Sequence, residues 1–526
     1  MSWRSTRATG QEGHGTRQVA VVDLGSNSWR LVVFTYAGPP HRWWKLTDEL
    51  YETVRIGAGL AATGRLSDEA IARGLETLSV FERFCRANHI APDDVHVVAT
   101  SAIRDAVNGR QFLADAERET GLKIETLSAH DEAFFGYVAA VNTTTLENGM
   151  VLDIGGGSLQ LIHVRDRLAR EMASFPLGAV RLTEQFLPDN DPTRPAKKKE
   201  LARLREYVTG ALSDLGWLAS SGTRLVGIGG AVRNLAAAVQ AANGTLDLGV
   251  QGFLIEPRVL SDLVARLASM PVAVRGTLPG IKPGRGDIIL AAAVTLDTVV
   301  QLGGFDGIEA TEAGLREGVF LARTLLEETE PLFPHVRADG VRNLAVQYES
   351  DMTHVEHVAR LSLQMFDSLV DAGLFKPKDG ERELLWAASM LHDVGMTISY
   401  GDHHKHSRYL IESADLPGFD PRERALIAQM TRYHRKGAPK LGEIETLTRN
   451  GDGQLLERCA MILRLAEHLE RGRDQAVSEV HLDTNGDGVD LHLKAAGDLT
   501  LPRWSVERYG DGEAFERIFG RRLVVG

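Results

Sequence analysis

A short pattern occurs twice in the chain, 130 residues apart, and it restricts the fold more than any other feature. Val19-Ala-Val-Val-Asp23-Leu-Gly25-Ser-Asn-Ser28-Trp-Arg-Leu31-Val-Val returns as Met150-Val-Leu-Asp153-Ile-Gly155-Gly-Gly-Ser158-Leu-Gln-Leu161-Ile, with Asp, Gly, Ser and Leu at the same offsets. Each copy is an apolar strand, a small-residue turn and a second apolar strand, which is a β-hairpin with an Asp at its entrance. Two such hairpins predict two homologous α/β lobes facing one another across a cleft.

The intervening sequence fits that plan. Ser67 is placed to N-cap a helix, with Asp68 and Glu69 in its first turn and Ile71, Leu75, Leu78 and Phe81 at helical spacing. Val95–Thr100 reads as a buried strand ending in Ser101-Ala-Ile-Arg104. In the second lobe Leu225-Val-Gly-Ile-Gly229-Gly230 is a strand entering a glycine turn, followed by a helix over 231–240, and 284–300 is a turn followed by an apolar helix. A proline-bearing linker near 332–338 marks a change to a helical, His-rich stretch. From 476, alternation around Asn485-Gly-Asp-Gly488 predicts a hairpin, then a short helix and a last strand. The expected division is a flexible tail over 1–17, lobe I over 18–140 and lobe II over 141–330. A helical domain over 331–475 and a small α+β domain over 476–526 complete it.

Charge and cysteine content narrow the function classes. The 71 acidic residues exceed the 59 basic ones, for a net charge of −12. That argues against a whole-surface nucleic-acid binder and leaves open an anion held in a local basic channel. Cys85 and Cys459 are the only cysteines, so a disulfide framework is not expected and a reducing, cytoplasmic setting fits. The polar segment 1–18 has no apolar core of a signal peptide, and the longest apolar run, Ile288–Leu296, is far below the roughly 18–20 residues of a membrane span.

Glycine-rich hairpin tips present several backbone N–H groups to one point, which suits phosphate oxygens, and Ser26, Asn27 and Ser158 add neutral donors. Asp23 and Asp153 accept only, so they reach phosphate through a divalent cation. Glu132, in Leu127-Ser-Ala-His130-Asp131-Glu132-Ala133, falls just before the second hairpin. It is either a general base facing the cleft or an exposed acidic helix start. Arg104 is either an anion clamp or half of a surface salt bridge.

Taken in order, Asp23-Leu-Gly-Ser-Asn-Ser28, Ala99-Thr-Ser-Ala-Ile-Arg104, His130-Asp-Glu132-Ala and Asp153-Ile-Gly-Gly-Gly-Ser158 resemble the exopolyphosphatase/guanosine pentaphosphate phosphohydrolase family of the actin-like phosphotransferase superfamily. Pro176-Leu-Gly-Ala-Val-Arg181-Leu, Gly227-Ile-Gly-Gly-Ala-Val-Arg233 and Gly314-Leu-Arg-Glu-Gly318 extend the likeness to about residue 326. The resemblance implies two ribonuclease H-like (actin-like ATPase) α/β lobes around a cleft, and hydrolysis of a terminal phosphoanhydride with Mg²⁺ (or Mn²⁺). It puts the catalytic Glu on Glu132, with Asp131 where the family has a first Glu. It puts the metal on Asp153, with Asp23 nearby. It puts the phosphate loops on Gly25, Ser26 and Asn27 and on Gly156, Gly157 and Ser158, and chain binding on Arg104; Ser28, Gly155, Gly229 and Gly230 are further candidate substrate contacts, the Gly229-Gly230 turn being compatible with an adenosine.

The C-terminal histidines resemble an HD phosphohydrolase domain, an all-α fold. His354, His392, Asp393, His406 and His434 fit a metal cage drawn from several helices, with Glu467 or Glu470 standing where the usual last Asp is missing. The alternative is a fold kept without its chemistry. His403, His404 and Lys405 read as a basic surface run, and Arg432, His434, Arg435, Lys436 and Lys440 as a positive cluster suited to a polyanion, Arg435 above all, or as a solvated face. Asp483-x-Asn485-x-Asp487-Gly488 is no EF-hand, because Lys494 stands where a bidentate Glu is required.

The leading expectation is a homodimeric exopolyphosphatase releasing orthophosphate from inorganic polyphosphate, with no membrane or specific nucleic-acid partner. Its rival is guanosine pentaphosphate 5′-phosphohydrolase, since the two substrates share the terminal phosphoanhydride. An ATP-dependent kinase of the same superfamily lacks an identifiable acceptor pocket, and a non-catalytic nucleotide or polyphosphate sensor is the non-enzyme reading.

Overall fold

The computed structural model describes residues 15–39, 42–187, 193–326, 329–510 and 512–525, so most of the expected tail lies outside the described residues. The two hairpins form as β1 (Arg17–Leu24) with β2 (Trp29–Ala37) and as β6 (Gly149–Ile154) with β7 (Leu159–Arg165). Registers match: Asp23 lies opposite Arg30, and Asp153 opposite Gln160.

Each hairpin grows into the same sheet. Antiparallel β3 (Trp43–Glu52) flanks β2, while β4 (Val95–Ala99) and β5 (Ile124–Thr126) extend β1 in parallel, in the order β3-β2-β1-β4-β5. In the second lobe β8 (Leu168–Phe175), β9 (Leu225–Ile228), β10 (Leu254–Ile255) and β11 (Ile308–Ala310) give β10-β11-β9-β6-β7-β8, the same order with one extra edge strand. The repeat in sequence is thus a repeat in topology.

Near-continuous burial of β1 and β6 follows from helices covering both sheet faces. Alternation then sorts side chains between cores: Ala20, Val22 and Leu24 pack into lobe I, whereas Val19 and Val21 turn to a middle layer. Val151 of β6 joins that layer while Met150, Leu152 and Ile154 face the core of lobe II. Helices Ala129–Thr143 and Leu315–Phe320 fill the middle layer. The expected boundary at 140/141 therefore falls inside a helix, and the two lobes share a core instead of meeting at a linker.

The C-terminal part is built on helices Met352–Asp371, Glu381–Leu391, His403–Glu412, Pro421–Tyr433 and Asp452–Leu469. β12 (Val477–Asn485) and β13 (Gly488–Ala495) form the expected hairpin, and β14 (Arg522–Val525) pairs with β13. Val477, Leu482, Leu491 and Phe515 belong to the same core as the helices, so the division at 475/476 separates no independent core. No helix among the described residues is long and apolar enough to cross a membrane.

Candidate active site in the cleft between the lobes

Both hairpin tips and the ends of β4 and β9 lie at the carboxyl ends of the parallel strands, where open α/β sheets bind ligands. Trp29, fully buried, donates from Nε1 to the Gly25 carbonyl at 3.1 Å, and Gly155 N donates to Ser158 O at 3.0 Å, which sets each tip. Beyond β9, Gly229 adopts φ 100°, a conformation that favours glycine, and turns the chain into helix Gly230–Asn243. That helix aims its N-terminal N–H groups into the cleft.

A cavity of about 130 Å³ results, lined by Asp23, Glu132, Asp153 and the two loops. Glu132 sits in the first turn of helix Ala129–Thr143, whose N-cap is Ser128. Its side chain is buried, which excludes the exposed helix start. Arg104 Nη1 donates to Glu132 Oε2 at 2.8 Å, and Gln160 Nε2 donates to Ser158 Oγ at 2.9 Å, which in turn donates to Glu132 Oε1 at 3.4 Å. Burial raises the Glu132 carboxyl above its ordinary range, and Arg104 opposes that rise. Burial pushes Asp23 up to about 6. Asp153 is pushed up to about 7 by burial and then by the neighbouring charges of Glu132 and Asp23. Three carboxylates converge on one space.

Arginines face them. Arg30, Arg233, Arg285 and Arg316 also line the cavity. Burial, with help from Arg316, lowers Arg233 to about 10. None of the four was singled out as a site residue from the sequence. Arg30 follows the first hairpin tip and holds the position of Gln160 in the second, a signal present in the repeat itself. The approach of Arg285 to Gly230, so close that a Cβ there would collide with the guanidinium, has no local signature.

Of the expected ligand residues, Gly25 to Ser28, Gly155, Gly156, Ser158, Gly229 and Gly230 line the cavity. Two do not. Gly157 turns its carbonyl to Arg181 Nε at 3.2 Å and abuts Ser101, so it closes the lobe interface. Arg104 donates to Glu132, Asp105 and the Leu127 carbonyl, so its guanidinium fixes the Glu132 carboxylate.

Residues 44–327, more than half of the chain, match the model of the Ppx/GppA phosphatase family, and 336–502 match domain III of Ppx/GppA phosphatases. The chain belongs to the Ppx/GppA phosphatase family. Among its curated relatives is the guanosine-5′-triphosphate,3′-diphosphate pyrophosphatase of Vibrio vulnificus, 28% identical over 486 residues and covering 90% of this chain and 92% of the relative. The Aeromonas hydrophila protein of the same name is 28% identical over 488 residues, covering 91% and 93%. The crystal structure of the Aquifex aeolicus Ppx/GppA family member superposes with a TM-score of 0.51 at 26% identity, over 60% of this chain and 99% of that one. An exopolyphosphatase from Cytophaga hutchinsonii shares the fold, with a TM-score of 0.53 at 22% identity over 58% and 97%.

The C-terminal half of this Ppx/GppA phosphatase gathers a second polar cluster. His354, His392, Asp393, His434 and Glu467 come together from four segments, all buried. His406 does not join them. On helix His403–Glu412 the inward face is His403, Ser407 and Leu410, and His406 lies off that face, partly exposed. His403 takes its place, and both His403 and His404 are buried, which corrects the surface-run reading. Arg435 stands over the Tyr400 ring beside this cluster and is not part of the cleft.

Proposed function

We propose that this phosphatase hydrolyses the terminal phosphoanhydride of guanosine pentaphosphate, releasing orthophosphate. The observation that carries the reaction class is the convergence of Glu132, Asp23 and Asp153 on one cavity between two glycine-rich tips and four arginines. The relatives' names support the guanosine substrate over inorganic polyphosphate, which reverses the order expected from sequence.

Asp23 and Asp153 fit a divalent ion: both are half-buried carboxylates at the cavity wall, raised by desolvation, and an oxygen-only donor set suits a hard cation such as Mg²⁺ (or Mn²⁺). When bound, such an ion offsets charge on the bridging and leaving oxygens. The tips and helix Gly230–Asn243 hold the terminal phosphoryl through backbone N–H groups, and the arginines neutralise the rest of the polyanion. Glu132, fixed by Arg104 and Ser158, orients a water and takes its proton as the oxygen attacks phosphorus and the bridging P–O bond breaks.

Polyphosphate is the second reading. Arg30, Arg233 and Arg316 line both the cavity and a larger cleft of about 450 Å³ against the helical domain, while Ser26, Asn27 and Ile288 also line a space on another side. A site open on two sides suits a chain that moves through it. Side-by-side kcat/KM values for guanosine pentaphosphate and polyphosphates of graded length decide: a higher value for guanosine pentaphosphate supports the proposal, and a higher value for polyphosphate overturns it.

A further inference from the structure

The histidine cluster of the C-terminal half carries a chemical contradiction as it stands. His392 Nδ1 lies 2.7 Å from the Ser389 carbonyl, His434 Nδ1 2.7 Å from the Thr431 carbonyl and His403 Nδ1 3.1 Å from the Tyr400 carbonyl. A carbonyl only accepts, so each of these Nδ1 atoms carries the proton. In neutral imidazole each Nε2 is then a bare lone pair.

Those lone pairs meet acceptors. His403 Nε2 and His434 Nε2 face each other at 3.1 Å. His392 Nε2 lies 3.2 Å from Glu467 Oε2 and 3.6 Å from Asp393 Oδ1, and His403 Nε2 lies 3.3 Å from Asp393 Oδ1. His354 Nε2 lies 3.2 Å from Glu467 Oε2 and 3.7 Å from Asp393 Oδ2. His354 Nε2, His392 Nε2 and Glu467 Oε2 are buried without a hydrogen-bond partner. Burying such atoms unpaired is costly, and crowding acceptors together adds repulsion. A cation at the centre removes both penalties.

The spacing fits one. Four donors at bond lengths of 2.0–2.1 Å in a tetrahedron stand about 3.4 Å apart, within the range seen here. Protonated Nδ1 atoms anchored on backbone carbonyls are the usual way a protein fixes the ring and tautomer of a ligating histidine. Two three-donor sets, His354/His392/Asp393 and Asp393/His403/His434, share Asp393.

We propose that His354, His392, Asp393, His403, His434 and Glu467 bind a divalent transition-metal ion at a centre separate from the cleft. None of the six lines the cleft cavity. Imidazole nitrogens select zinc, copper, iron or nickel over Mg²⁺, so this centre and the oxygen-only cleft discriminate between ions. Arg473 Nη2, 2.5 Å from Asp393 Oδ2, holds the shared carboxylate from the partly exposed side.

The test counts metal. Full-length protein is stripped with a chelator, equilibrated with Zn²⁺ or Co²⁺ in the presence of excess Mg²⁺, and desalted. The expected result is at least one equivalent of Zn²⁺ per chain, and visible d–d absorption with Co²⁺. His392→Asn and His403→Asn lose at least tenfold in occupancy, whereas Asp153→Asn in the cleft and His406→Asn beside the cluster retain the ion. Circular dichroism of each variant separates lost ligation from lost folding. Wild-type protein that retains no ion after reloading overturns the proposal, because the cluster is then satisfied by protons. Folded His392→Asn and His403→Asn variants that retain the full equivalent overturn it as well. Neither outcome depends on the substrate of the cleft.

Discussion

Ser158 of lobe II donates a hydrogen bond to Glu132 of lobe I across the cleft, at 3.4 Å. Arg104 grips the other carboxylate oxygen at 2.8 Å, so the carboxylate proposed as the base is held by both lobes at once. Anything that separates the lobes must loosen it. Ser158→Ala is expected to lower kcat by about 10–100-fold, a cost typical of a misplaced reacting group, with little change in melting temperature. Unchanged kcat would show that Arg104 alone positions Glu132.

Glu132→Gln keeps the shape of the side chain and removes its capacity to take a proton. Orthophosphate release is expected to fall by about 10²–10⁴-fold while substrate still binds. Equilibrium binding and single-turnover kinetics separate the two effects. Undiminished turnover would sink the assignment of the base.

Arg316 is buried at the seam of the two clefts and touches Glu49 at 3.3 Å. Arg316→Gln is expected to lower kcat/KM by about 10–100-fold, mainly through KM, since it removes a charge that meets the polyanion along its length. A variant affecting kcat alone would place Arg316 at the reacting phosphoryl instead.

In the proposed ion site, removing Mg²⁺ would expose the repulsion among the cleft carboxylates. The folded-state values of Asp23, about 6, and Asp153, about 7, lie above the ordinary value of 3.8. The ion-free fold therefore has their full contribution below pH 3.8 and loses it as pH rises through 6 and 7. Mg²⁺ binds the ionised forms, so the rise in Tm on adding it is expected to be larger at pH 8 than at pH 6. At saturation about a hundredfold above Kd this is worth about 2.7 kcal/mol. Equal rises at the two pH values would remove these carboxylates from the ion site.

Both thiols are buried, and burial pushes Cys85 up to about 11 and Cys459 higher still. Neither is expected to react with a thiol reagent in the folded protein at pH 8, where thiolate is the nucleophile. Rapid labelling of either without unfolding would contradict this packing.

Local chemistry made much of this legible. The hairpins, their Asp residues and the Ser67 helix start depend on neighbours a few residues away, so pattern and spacing were sufficient. Helix phase defeated the assignment of His406: three positions separate it from His403, and only the docking of that helix shows which of the two turns inward. Domain boundaries failed at 140/141 and 475/476 because a boundary is the absence of shared contacts, and composition does not record contacts.

By itself the chain's sequence determined the duplicated sheet, the paired carboxylates at equivalent hairpin positions and the placement of Glu132 just ahead of the second copy. Tertiary structure alone decided that Arg233, Arg285 and Arg316 meet those carboxylates, that Arg104 bonds Glu132, and that His403 joins the buried cluster. Periodicity reports which face of an element is buried. Which distant side chains share that burial is set by how the elements pack, and no spacing along the chain encodes it.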